Sequence, residues 1–135
     1  MKIIKLNAID STNTFLKDLA HNSILENFTI VTADEQTKGR GQMGTTWVSE
    51  PHKNLLCSVF VRFDDFPITH QVLVNYAVSL AIVNTLSKYK VPNLAIKWPN
   101  DILSSTKKLC GLLVDNVMHK DNIQPSMIGI GLNVT

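Results

Sequence analysis

Arginine, glycine and cysteine are all scarce in this chain, and each scarcity removes a class of answer. Of thirteen lysine and arginine residues only Arg40 and Arg62 are arginines, and the net charge is just +2. With no basic run either, neither DNA nor a membrane surface is expected as a partner. Two cysteines, Cys57 and Cys110, stand far apart; they are too few for a disulfide framework and fit a reduced, cytoplasmic compartment. Lys2, Lys5, Asp10, Lys17 and Asp18 interrupt the N-terminal stretch, so it holds no signal-peptide apolar core. No apolar run is long enough to span a bilayer. What is present is ordinary for a globular protein: 135 residues, 44% hydrophobic and 18% charged, enough for one domain with a real core.

The six glycines occupy three places: a loop at Gly39, Gly41 and Gly44, then Gly111, then Gly129 and Gly131. Turns elsewhere fall to Asn, Asp, Ser and Pro. Glycine is kept where backbone bends sharply or approaches a ligand. The loop, KGRGQMGTTW from Lys38 to Trp47, has the G-x-G-x-x-G spacing of dinucleotide-binding and kinase loops, with Asp64 about 20 residues on. A dinucleotide loop must open a helix whose N-terminus holds the pyrophosphate. Here TTWVSEP follows, poor in helix formers and closed by Pro51. The next strand begins near Asn54, too soon for the ~10–12 residues of a crossover. Asp64 then reads as part of a solvated turn. No G-K-[ST] and no kinase catalytic loop is present. A glycine loop between strands can offer its amides to an anion, with Arg40 as a fixed planar charge. On the loop alone, a flexible hairpin connection is an equal reading.

Along the chain, MKIIKLNAID reads as a strand and DSTNTFLKDLAHN as a helix capped by Ser11 or Thr12, with Phe15, Leu16, Leu19 and Ala20 at helical spacing. FTIVTADEQ and NLLCSVFVRF are strands, the second ended by DDFP. HQVLVNYAVSLAIVNTLSKY is helical and apolar nearly all round, which predicts a helix buried in the core. NLAIKWPNDILSS is a short strand turned at Asn100 and Asp101, and Lys107 to Thr135 is a hairpin turned at HKDN. Strands with helices between some of them argue an α+β fold with a mixed sheet. Of the two tryptophans, Trp98 is expected in the core.

The ordered series GRGQMGTTW, KWPNDI, KLCGLLVD and GIGLNV, preceded by DSTN, resembles the catalytic domain of the biotin–protein ligases. The likeness runs from Ile9 to Val134 and is sharpest at KWPND. It implies a mixed, largely antiparallel sheet flanked by helices. It implies a ligase that makes biotinyl-5′-AMP from biotin and ATP with Mg²⁺, then biotinylates one lysine of a biotin carboxyl carrier protein. In such a site Lys108 is the cation between biotin carboxylate and α-phosphate, with Lys107 its exposed neighbour. Lys108, Arg40 and Asp101 form the catalytic set, Asp101 orienting the acceptor lysine or the metal. Biotin falls to Ser11, Thr12, Asn13, Gln36, Gly39, Arg40, Gly41, Lys108 and Gly111. The adenylate falls to Arg40, Gln42, Trp47, Asn100, Lys108 and Asn133, with Trp47 giving adenine a flat face and the two asparagines its edge. No metal-ligating set of protein side chains is expected. Several of these residues have plainer roles open to them: a helix cap for Ser11, core packing for Trp47, turn closure for Asn100 and Asp101, a solvated strand end for Lys108.

The series also departs from its pattern. Gln42 and Thr45 stand where many relatives carry arginine. Residues 1–135 read as one catalytic domain that stops short of the family's C-terminal remainder and small β-barrel, with no DNA-binding domain before Met1. A homodimer stays open. Two other readings remain: a lipoate-protein ligase or octanoyltransferase of the same fold, and a non-catalytic biotin- or adenylate-binding fragment.

Overall fold

Strand β1 (Ile3–Ile9) leads directly into helix α1 (Thr12–Asn22), because Ser11 is extended and its hydroxyl accepts from Thr14 N at 3.4 Å. Leu16 on α1 is fully buried against Val31, Phe60 and Met127, with Phe15, Leu19 and Ala20 around it. This stripe is the 3.6-residue pattern of the sequence, and it lays α1 across one face of the sheet. The chain returns in β2 (Ile30–Gln36), parallel to β1 with Ile3 opposite Ile30. This computed structural model describes residues 1–134.

The remaining strands are β3 (Asn54–Pro67), β4 (Leu94–Lys97), β5 (Asp101–Ser104), β6 (Lys107–His119) and β7 (Asn122–Asn133). Their order is β1-β2-β3-β7-β6-β5-β4, and every pair but β1·β2 is antiparallel. The expected mixed, largely antiparallel sheet flanked by helices is the fold. β3 does not stop at DDFP. Its pairing with β7 shifts register between Arg62 and Phe66 and resumes at Phe66 opposite Ile123. Asp64 and Asp65 are that bulge, with Asp65 at φ 54.

Helix α2 (Gln71–Lys88) is where the sequence misleads most. It is not sunk in the core: within it only Val74 and Ser79 are buried, while Leu73, Tyr76 and Leu80 are half exposed. Val78, Ile82, Val83 and Leu86 pack on Ile102, Cys110 and Leu112. A single helix laid on the sheet has one inner face, so an all-round apolar sequence leaves its outer face at the surface. Beside it lies an apolar groove of about 660 Å³, bounded by Leu73 and Leu86 on α2 and by Val59, Val61, Phe63 and Ile128 on the strands. Trp98, expected in the core, is 62% exposed and leans on Tyr76 with ring centroids 5.5 Å apart. No helix among the described residues is long and apolar enough to cross a membrane.

The two helices should therefore respond differently to truncation. Leu16→Ala removes a side chain with no exposure and should cost about 2–5 kcal/mol in denaturant unfolding. Leu80→Ala, at a position 56% exposed, should stay within about 0.5 kcal/mol. Equal losses would mean that α2 is covered in solution.

Candidate active site

The motifs scattered along the chain converge where α1 begins. A cavity of about 280 Å³ is lined by Ser11, Thr12, Gln36, Arg40, Trp47 and Lys108, among others. That lies near the lower end of the ~300–1,000 Å³ usual for small-molecule sites. At its polar end, Thr12 donates its backbone N–H to Gln36 Oε1 at 2.8 Å and its hydroxyl to the same oxygen at 3.1 Å. Gln36 Oε1 is therefore spent, while no hydrogen bond among the described residues uses its Nε2. That leaves Nε2 as a donor toward a ligand carbonyl. Ser11 and Thr12 line the same wall, both buried.

Asn13, assigned to biotin, lines the cavity, and its amide is already engaged within the ligand-free protein. It is 3% exposed, and its Nδ2 donates to Leu113 O at 3.1 Å, Asp115 Oδ2 at 3.2 Å and Met127 O at 3.4 Å. Its Oδ1 accepts from the Ser58 hydroxyl. Both ends of the amide are used to tie α1 to β3, β6 and β7, so binding a ligand would cost bonds already made.

The glycine loop is curled on itself rather than open. Arg40 bridges Thr46, Gly41 N donates to Thr45 O at 2.7 Å, and Trp47 N donates to Gly39 O at 2.9 Å. The Gly41 amide, expected to face biotin or phosphate, is thus taken. Gly39 is buried with its carbonyl occupied by Trp47. Gln42 lines the cavity at the start of a short 3-10 turn, Gln42–Gly44, and Met43 is 99% exposed. Arg40 reaches across to β6, where its Nη2 lies 2.8 Å from Asp115 Oδ2.

Trp47 is the loop's apolar anchor. Gly111 on β6 pairs with Gly131 on β7, and the indole lies over that pair. A Cβ on Gly111 would stand 2.6 Å from Trp47 Cζ3, and one on Gly131 2.6 Å from Trp47 Cε2. Only glycine allows such an approach. One face of the indole thus lies on strand backbone. Its Nε1 is buried without a partner among the described residues, an orphan donor that a ligand acceptor would satisfy. Lys108 Nζ sits 5.0 Å from the indole centroid and 3.0 Å from Asp101 Oδ1. Lys107, its neighbour, is exposed.

Both asparagines assigned to adenine also bond within the protein. Asn100 is buried and donates Nδ2 to Leu112 O at 2.6 Å. Asn133 donates to Lys108 O at 3.2 Å and accepts from Asn54 Nδ2. Each amide keeps a second N–H and a further oxygen lone pair, so these bonds restrain the two side chains without using up a base-edge pair. They hold the KWPND turn and the end of β7 to β6, on which Lys108 stands.

Asp115, Ser58 and Asn54 escaped the sequence reading. Gly111, Leu113 and Asp115 share strand parity, which puts Asp115 on the cavity face, so its place was readable. Ser58 was visible as a lone hydroxyl inside LLCSVFV. Burial pushes the thiol of Cys57 up to about 11 and that of Cys110 to about 12, so both are protonated at neutral pH and neither is a nucleophile. No group of three or more His, Cys, Asp or Glu suited to a metal ion occurs among the described residues.

The seat of Trp47 can be tested optically. In a Trp98→Phe background, which leaves Trp47 as sole tryptophan, Gly131→Ala should lift the indole and increase acrylamide quenching of its fluorescence. Unaltered quenching would mean the ring does not rest on the glycine pair.

Comparison with known proteins places these features in a series. Residues 6–133 match the biotin/lipoate A/B protein ligase family. The bifunctional ligase/repressor BirA of Bacillus spizizenii is 34% identical over 132 residues, which is 98% of this chain and 40% of that protein. The structure of the Aquifex aeolicus biotin protein ligase in complex with biotin and ATP aligns with a TM-score of 0.68 and 32% identity, over 98% of this chain and 52% of that one. The Leishmania major biotin protein ligase in complex with biotinyl-5-AMP aligns at 0.72 with 28% identity, over 98% and 57%. The chain thus spans about two fifths to three fifths of the length of these relatives.

Proposed function

This chain belongs to the biotin/lipoate A/B protein ligase family, and from that premise we propose that it activates biotin with ATP to biotinyl-5′-AMP and passes the biotinyl group to one lysine of a biotin carboxyl carrier protein. The observation that carries this reading is the meeting of the DSTN helix start, the glycine loop, Lys108 and the Gly111–Gly131 pair on one cavity. In this reading residues 1–135 belong to one catalytic domain.

The chemistry brings two anions together. Biotin's carboxylate attacks the α-phosphorus of ATP, pyrophosphate leaves, and a mixed anhydride forms. A lysine amine then attacks its acyl carbon and AMP departs. Lys108 is suited to the first step, since an ammonium lining the cavity offsets charge that grows on the phosphorus oxygens. Asp101 holds that ammonium at 3.0 Å before a ligand arrives and receives it again afterwards. Gln36 Nε2, Ser11 and Thr12 supply polar partners for a ureido ring. The loop with Trp47 excludes water from the anhydride. Mg²⁺ commonly takes one or two carboxylates and completes its shell with phosphate and water. Asp101, a carboxylate lining the cavity, would be able to offer one such ligand to an ion carried by ATP. The cytoplasm, which supplies ATP and keeps Cys57 and Cys110 reduced, is the proposed compartment.

Isotope exchange between pyrophosphate and ATP tests the first step. Exchange that depends on biotin is expected. Exchange with lipoate instead would favour the lipoate branch of the family, and none with either would leave a binding module. Within the biotin assay, Lys108→Ala should lower the rate about 10²–10³-fold, the scale of one lost electrostatic stabiliser. Lys107→Ala should change it little. Equal losses from the two would remove Lys108 from its role.

A further inference from the structure

Asp115 has no part in the chemistry above, yet its Oδ2 joins two elements of the site. It accepts from Asn13 Nδ2 at 3.2 Å and from Arg40 Nη2 at 2.8 Å. Asn13 is buried and held at both ends of its amide. Arg40 belongs to a loop whose tip is exposed. The carboxylate thus connects a fixed node of the core to a segment held otherwise by its own small hairpin and by Trp47.

The cavity's two cations are both paired with carboxylates, but the pairs are not equivalent. Lys108 and Asp101 stand on neighbouring strands β6 and β5, whose backbone pairing persists if the ion pair opens. Arg40 and Asp115 are 75 residues apart in sequence, and their bond is the loop's polar tie to β6. Lys108 can swing to a substrate anion at little structural cost, whereas Arg40 cannot leave Asp115 without loosening the loop.

We propose that Asp115 is a positioning residue that fixes the closed position of the glycine loop through Arg40, so that Arg40 serves as the loop's strap while Lys108 is the cation that meets the substrate's anion. This rests on the ligase reading only for its kinetic consequence, since loop closure is measurable without any substrate.

The test uses Asp115→Asn, which has the same shape and keeps an acceptor for Asn13, together with Arg40→Gln and the double variant. Hydrogen exchange at the Gly41 and Trp47 amides, both bonded inside the loop, reports opening in the ligand-free protein. Each single variant should speed exchange there by about fivefold, the scale of a partly exposed ion pair, while amides of β6 and β7 keep their protection. The double variant should be no faster than either single one, because all three lack the same bond. In the biotin-dependent exchange assay, KM for biotin should rise more than kcat falls, and Asp115→Glu should recover part of the loss. Unaltered loop amides in Asp115→Asn, or effects that multiply in the double variant, would overturn the strap. If Asp115→Asn loses protection throughout the sheet, Arg40→Gln decides alone, since Arg40 is exposed. No turnover in the wild-type chain would count against the ligase reading, while the amide data would still decide the strap.

Discussion

A buried amide cannot draw on bulk water for its hydrogen bonds, and Asn13 shows how much of a fold one such demand can organise. Its two ends meet four polar groups drawn from β3, β6 and β7, and Thr12 beside it bonds Ser58 in turn. Leaving any one unmet would cost about 1–3 kcal/mol. The cluster therefore holds only when α1 sits over the centre of the sheet with its first turn against β7. That placement sets Ser11 and Thr12 in the cavity wall, and Thr12 in turn orients Gln36 at the end of β2. The cavity-lining Ser11, Thr12 and Gln36 are thus held in place by a network anchored in the sheet.

Local sequence made the elements of this fold readable because each has a strong period. The stripe on α1, the long paired strands β6 and β7 and the capping Ser11 all appear where propensity and spacing put them. Environment was harder to read, since it depends on what lies opposite. Nothing within HQVLVNYAVSLAIVNTLSKY says whether its outer face meets protein or solvent, and Leu73, Tyr76 and Leu80 meet solvent. Trp98 lies at the surface for the same reason, while Trp47 is half-buried over the glycine pair. A tryptophan next to a proline turn looks like packing, and one at the end of a loop looks like a ligand contact. The cross-strand glycine pair that receives Trp47 forms only when β6 and β7 are in register.

The same limit governs the site. The motif series brought Ser11, Thr12, Gln36, Arg40, Trp47, Asp101 and Lys108 to one cavity. Which of them are free to meet a ligand depends on their partners in space. Asn13, Asn100 and Asn133 are chemically able to bind biotin or a base, and in the ligand-free protein backbone carbonyls and side chains already hold part of each amide. Asparagine in a motif is ambiguous because one group caps, crosslinks and recognises equally well. A lone lysine at a strand end is less so once a carboxylate and an aromatic face are found beside it.

Charge is sparse here, and that makes its placement decisive. Arg62 is spent away from the cavity, on Leu25 O at 2.8 Å and over the ring of Phe60. Arg40 is therefore the one arginine at the cavity, and the neutral Gln42 follows it two residues on. With Arg40 matched by Asp115 and Lys108 by Asp101, the ligand-free site holds two positive and two negative groups already in contact. An incoming anion then gains only the difference between its own contact and the carboxylate it displaces, which favours a ligand that brings two anionic groups to one lysine over one that brings a single charge. In the proposed reaction a carboxylate approaching a phosphate is such a ligand, and its two anionic groups stand closest together as the new bond forms. Pairing the cations beforehand thus weakens ground-state binding of either anion alone and reserves the ammonium for the state in which both are present.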